Sequence, residues 1–193
     1  MKKSTFIAVL GMAACVASSY GQGTVNFSSY FGNQGAGFTT SLFGTTTSVP
    51  DGFHADLYFA LGTGVTDSVN FNDALSVFSA PTGLTGAGVV GAVFSGGYFG
   101  NPIIPVSIAG YASGPVTYEV VVYNGADYAS SSIRGRSGSF VLDPGAATTG
   151  NPIPMIDNVP NFFVANAIPE PTTLALAGLG GLASLVMLRR KNA

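Results

Sequence analysis

A mainly β body, built as an antiparallel β-sandwich or jelly roll, is what the sequence predicts between residues 22 and 168. Three observations lead there. Apolar and polar residues alternate along short runs, as they do on a half-buried strand. No window of helical length places apolar residues at i, i+3, i+4 and i+7. Turn signals rich in Gly, Pro, Asn and Asp separate the runs at short intervals. An N-terminal signal helix and a single C-terminal transmembrane helix are expected to flank this body.

The strands follow in order. Thr24 to Ser28 opens the body. Phe53, Ala55, Leu57, Phe59 and Leu61 then share one face, with His54, Asp56, Tyr58 and Ala60 on the other. Strands are expected at Ala74 to Phe78 and at Val89 to Phe94. Ile104, Val106 and Ile108 alternate with Pro105, Ser107 and Ala109. Val116 to Tyr123 is apolar on nearly both faces, which predicts a central strand. Two more are expected at Ser139 to Leu142 and Asn161 to Ala165. Pro50-Asp51-Gly52, Ser95-Gly96-Gly97, Asn124-Gly125 and Asp143-Pro144-Gly145 supply turns between them. A Pro-rich stretch, Gly150 to Pro160, loosens the chain before the last strand, and no internal repeat is visible.

The ends read differently. Lys2 and Lys3 precede an apolar run from Phe6 to Ala17, and small residues follow, the pattern of a signal peptide cleaved near Gly21 and Gln22. Cys15 is the single cysteine and lies inside that run. Met12-Ala13-Ala14-Cys15 is a faint lipoprotein box, so lipidation of Cys15 stays open. Once the signal is removed, the mature chain holds no disulfide and no cysteine nucleophile. At the other end, Thr172 to Leu188 carries no charge and spans roughly 25 Å as a helix, the lower limit for crossing a bilayer. Arg189, Arg190 and Lys191 follow directly, and such a cluster stays cytoplasmic. The division is 1–21 signal peptide, 22–160 ectodomain and 161–193 last strand and sorting signal. Within the last part, 169–171 is the motif, 172–188 the span and 189–191 the basic tail.

Pro169-Glu170-Pro171, a minimal span and a basic tail in that order resemble the PEP-CTERM proteins of Gram-negative bacteria. The resemblance covers little more than a tenth of the chain. It implies recognition and cleavage by an exosortase, a membrane-embedded transpeptidase-like protease. It also implies anchoring in the inner membrane before processing, then residence at the cell surface or in the extracellular matrix. Pro169 and Pro171 hold the motif extended, a form a protease groove binds.

Charge and composition narrow the function of the body. Charged residues are only 8% of the chain. Between the end segments two cations, Arg134 and Arg136, face eight acids, a net charge of −6. A surface of that sign repels phosphate backbones, which excludes nucleic acid as the partner. Gly86-Ala87-Gly88-Val89-Val90-Gly91 matches a dinucleotide-binding pattern, but no helix follows it and no acid stands about 20 residues on. His54 and Asp56 offer two ligands at i and i+2, too few for zinc, and His54 reads as a solvated strand histidine. No catalytic, cofactor or metal site is therefore expected. Glu119 is the most interesting acid and is expected to face an edge or solvent. Arg134 and Arg136 are expected to pair with Glu119 or Asp143 in a structural role.

The expectation is an exported, noncatalytic surface or matrix protein. A carbohydrate-binding module of the exopolysaccharide matrix is the alternative, with Tyr98, Phe99, Tyr123 and Tyr128 as available rings. A hydrolase with Glu119 in a close acid pair is the weaker one.

Overall fold

Eight consecutive residues, Val116–Tyr123, are buried without exception, and the molecule is built around the strand they form. The computed structural model describes residues 23–30, 39–94, 96–145, 153–156 and 159–166. Their elements are β1 Thr24–Phe27, β2 Thr40–Leu42, β3 His54–Leu61, α1 Ala74–Phe78, β4 Thr85–Phe94, β5 Tyr98–Phe99, β6 Ile104–Ser107, β7 Val116–Tyr123, β8 Ile133–Arg136, β9 Phe140–Leu142 and β10 Phe162–Asn166.

The protein is mainly β. The large sheet runs β2-β10-β8-β7-β3-β4-β5, with β9 also on β7. Its pairs are antiparallel except β2 with β10, which run parallel. The second layer is thin: β1 and β6 form an antiparallel two-stranded sheet of their own. The central place predicted for Val116 to Tyr123 holds, since β3 lies on one side and β8 and β9 on the other.

The alternation in β3 and β7 creates two unlike faces. On one, Ala55, Leu57 and Phe59 of β3 and Val116, Tyr118, Val120 and Val122 of β7 join the main core. Val25 and Phe27 of β1, Val106 of β6 and Ile108 close over it, all essentially without exposure. The opposite face carries Tyr58 of β3 and Glu119, Val121 and Tyr123 of β7. There the cover is α1 and long connections, not a sheet.

Two bulges interrupt the large sheet. Between the pairs Asp56–Val90 and Tyr58–Gly86, Leu57 alone faces Ala87 to Val89, and Gly88 takes up the excess with a φ of 71°. The glycines of the Gly86 to Gly91 pattern thus serve a bulged strand. That strand leads into β5, so the helix a dinucleotide site requires is replaced by a strand. The second bulge separates β8 from β9. Arg136 pairs with Val121 and Phe140 with Tyr118, leaving Ser137 to Ser139 opposite Glu119 and Val120.

Ala74 to Phe78 is a correction: the predicted strand is a one-turn helix. Asp73 caps it, its side chain accepting from the Leu75 N–H at 3.0 Å. On this helical turn Val77 is buried and Leu75 is exposed. β2, β5 and β8 were not predicted. β2 and β5 have three and two residues, too few for a period to show. β8 reads Ile-Arg-Gly-Arg, in which only Ile133 favours a strand. Its Gly135 is required, because β10 crosses so closely that an added Cβ would lie 2.7 Å from the Val164 Cα.

β10 lies inside the large sheet, between β2 and β8, so the folded unit extends to Asn166. The expected signal helix, the cleavage site at Gly21 and Gln22, the sorting residues Pro169, Glu170 and Pro171, the span 172–188 and the basic tail Arg189, Arg190 and Lys191 lie outside the described residues. Among the described residues, no helix is long and apolar enough to cross a membrane.

Candidate functional site

The second face of the large sheet holds the chain's two internal cations beside a buried carboxyl. β7 contributes Glu119, which has no exposure, and β8 contributes Arg136, 4% exposed. Arg136 Nη1 donates to Glu119 Oε1 at 3.0 Å. The same nitrogen donates to Asp67 Oδ2 at 2.5 Å. Asp67 is delivered by the bulge after β8: the Ser139 N–H donates to the Asp67 carbonyl at 3.1 Å. In return the Asp67 N–H donates to Ser139 Oγ at 3.0 Å. Arg136 Nη2 donates to Ser79 Oγ at 3.0 Å, so the end of α1 is tied in as well.

This cluster is not fully satisfied. Among the described residues, Glu119 Oε2 and Arg136 Nε have no hydrogen-bond partner. Burial pushes the Glu119 carboxyl up to about 7, against the pull of the Arg136 guanidinium. Burial alone would lower Arg136, but its hydrogen bond to Asp67 and the charge of Glu119 outweigh that and raise it. Glu119 was expected at an edge or in solvent, and this is a second correction. The pairing of Arg136 with Glu119 was foreseen. Its third member, Asp67, was missed, because no spacing in a Gly-, Ser- and Thr-rich connection marks one Asp as ion-paired.

Arg134 does different work on the same face. Its Nε donates to the Phe78 carbonyl at 3.0 Å and its Nη1 to the Tyr128 carbonyl at 2.7 Å, with the Ala129 carbonyl also accepting. The guanidinium stacks 4.1 Å from the Phe78 ring centroid. Arg134 thus joins the carbonyl end of α1 to the 124–131 connection, and Asp143 is not its partner.

The remaining candidates are dispersed. His54 and Asp56 share the outer face of β3. The His54 ring lies 5.8 Å from that of Tyr123, and Asp56 Oδ1 accepts from the N–H groups of Leu57 and Val89. Burial raises the Asp56 carboxyl against those two hydrogen bonds. No cluster of three metal-ligating side chains occurs among the described residues. The four rings considered for a sugar platform do not assemble. Phe99 packs in the main core 4.7 Å from Phe27, and Tyr123 and Tyr128 are buried against each other on the second face. Tyr98 stands apart with Tyr30 and Phe94.

A close pair of acids does exist, in Glu119 and Asp67. Both bind one guanidinium nitrogen, and Glu119 is sealed from solvent. Two surface cavities of about 680 and 450 Å³ flank β2, and neither is lined by Glu119, Asp67 or Arg136. In chemical terms the cluster is a clamp: it fastens the 62–73 connection and α1 to the sheet.

Comparison with known families matches residues 167–191 to the PEP-CTERM protein-sorting motif. The match covers Pro169, Glu170, Pro171 and the basic tail, and it starts one residue after β10 ends. No curated protein and no solved structure matches the chain. The motif supports exosortase-targeted sorting of an exported protein, with C-terminal membrane anchoring before processing.

Proposed function

We propose that this chain is a noncatalytic cell-surface or matrix protein. Its β body is carried outward behind a cleaved signal peptide and held in the inner membrane by residues 172–188. An exosortase then releases it by cutting at or near Pro169-Glu170-Pro171. The observation that carries the reading is the sorting motif at 167–191, directly after Asn166. Every strand among the described residues ends before the motif begins, so processing and folding do not compete for the same residues. The noncatalytic part rests on the acid pair: Glu119 and Asp67 are spent on Arg136, with Glu119 inaccessible to a substrate.

Deleting Pro169 to Ala193 tests this. The truncated body is expected to leave the membrane fraction and appear outside the cell, as the wild type does after processing. Unchanged membrane retention of the truncated chain contradicts the reading. So does unchanged processing of the wild type in cells lacking exosortase.

A further inference from the structure

We propose that the larger cavity beside β2 is a binding site for a neutral, hydroxyl-rich glycan. Its volume of about 680 Å³ falls in the roughly 300–1,000 Å³ range of small-ligand sites. Three phenylalanines line it. Phe163, on β10, is the middle ring. Phe43 meets it nearly edge-on at 6.2 Å and an interplanar angle of 84°, and Phe71 lies at 6.5 Å and 66°. The rings are only half-buried, so apolar surface stays open to a ligand.

The backbone holds these rings in place. The Phe43 N–H donates to the Val164 carbonyl at 2.8 Å, and Phe163 pairs with Ser41 in the parallel ladder. The Asn72 N–H donates to Asn70 Oδ1 at 3.1 Å, which fixes the turn carrying Phe71. A site built on paired backbone needs little reordering when a ligand binds.

The rim is polar and uncharged. It is made by Thr45, Thr46, Thr47 and Asn72. The Thr45 hydroxyl is engaged with the Leu42 carbonyl at 2.9 Å. The hydroxyls of Thr46 and Thr47 and the Asn72 carboxamide are exposed and make no hydrogen bond among the described residues. They supply donors and acceptors of both kinds. No lining residue is titratable, so an anionic or cationic ligand would find no counter-charge. A purely apolar peptide would leave the rim groups unmatched. A sugar ring offers an apolar C–H face to the phenylalanines and an equatorial belt of hydroxyls to the threonines and Asn72. The 450 Å³ cavity shares Phe43 and Thr45 with this one, so the surface suits several linked rings. None of the four rings considered from sequence takes part, and the site is independent of how the chain is sorted.

Affinity electrophoresis of the purified full-length chain tests the proposal. The gels contain neutral glucan, mannan or galactan, with anionic polygalacturonate as the comparator. Retardation is expected in at least one neutral gel and not in polygalacturonate. Phe71→Ala is expected to weaken that binding roughly tenfold. Asn72→Ala, an exposed change that spares the core, is expected to weaken it roughly threefold. Tyr98→Ala, outside the cavity, should leave it unchanged. Three results each overturn the proposal: no retardation in any neutral gel, equal retardation by polygalacturonate, or wild-type binding by both Phe71→Ala and Asn72→Ala. A synthetic peptide of residues 167–193 that displaces the glycan leaves it standing. A peptide that shifts the NMR signals of Phe71 and Asn72 while no glycan does so assigns the cavity to the chain's own tail instead.

Discussion

The two faces of β7 divide the same eight residues between opposite ends. Val116, Tyr118, Val120 and Val122 pack into a core closed by a second sheet. Glu119, one pleat away, is equally buried but meets an arginine, and its cover is loop and a single helical turn. The first face is held by area removed from water, which is non-directional and insensitive to pH. The second is held by a few directed contacts among charged groups, in which removing one member strands the others. Burial by itself does not reveal what holds a surface together.

The sharpest way to break the second face is Arg136→Ala. It leaves the buried Glu119 and the half-buried Asp67 without their cation and is expected to cost about 3–5 kcal/mol in urea unfolding. Leu57→Ala on the first face should cost a similar ~2–5 kcal/mol through its cavity, and that loss should stay constant between pH 5 and pH 8. The contrast fails if Arg136→Ala costs under ~1 kcal/mol.

Glu119 gives the faces different pH behaviour. Its folded pKa, about 7, lies above the ordinary glutamate value of 4.5. The folded state therefore binds the extra proton between those values, and stability falls as pH rises through that window. The loss from this group is on the order of 3 kcal/mol, complete above about pH 7. Asp56, also raised by burial, acts in the same direction. Glu119→Gln should flatten most of the slope, matching wild type near pH 5 and equalling or exceeding it at pH 8. An unchanged slope in the variant removes Glu119 as its source.

Smaller effects sharpen the picture. Arg134→Ala removes a guanidinium that bonds three backbone carbonyls, and about 2 kcal/mol is expected. Faster amide exchange should appear in α1 and residues 124–131 but not in β1 or β6. Val141→Thr, on a side chain 45% exposed at the sheet surface, should change stability by less than about 0.5 kcal/mol.

The first face was legible in the sequence and the second only in fragments. Period-2 alternation in Phe53 to Leu61 and Val116 to Tyr123 predicts both strands and which of their residues share a side. Hydrophobic burial repeats along the chain, so a periodic pattern records it. The Arg136–Glu119–Asp67 cluster depends on a bulge at Ser137 to Ser139 and on a connection folding back some 70 positions away in sequence, and neither leaves a period. Phe43, Phe71 and Phe163 were invisible as a group for the same reason: their meeting depends on β2 pairing with β10 in parallel. Ala74 to Phe78 shows the opposite failure: five residues expected as a strand form a helical turn capped by Asp73. The sorting motif was readable because its meaning is linear, a short extended sequence, an apolar run and three cations in order.

Mass spectrometry of the mature protein from its native cell tests the central claim most directly. The account predicts a chain that begins near Gln22, ends within residues 167–191 and keeps β10 whole. Recovery of all 193 residues with both termini uncut would contradict it.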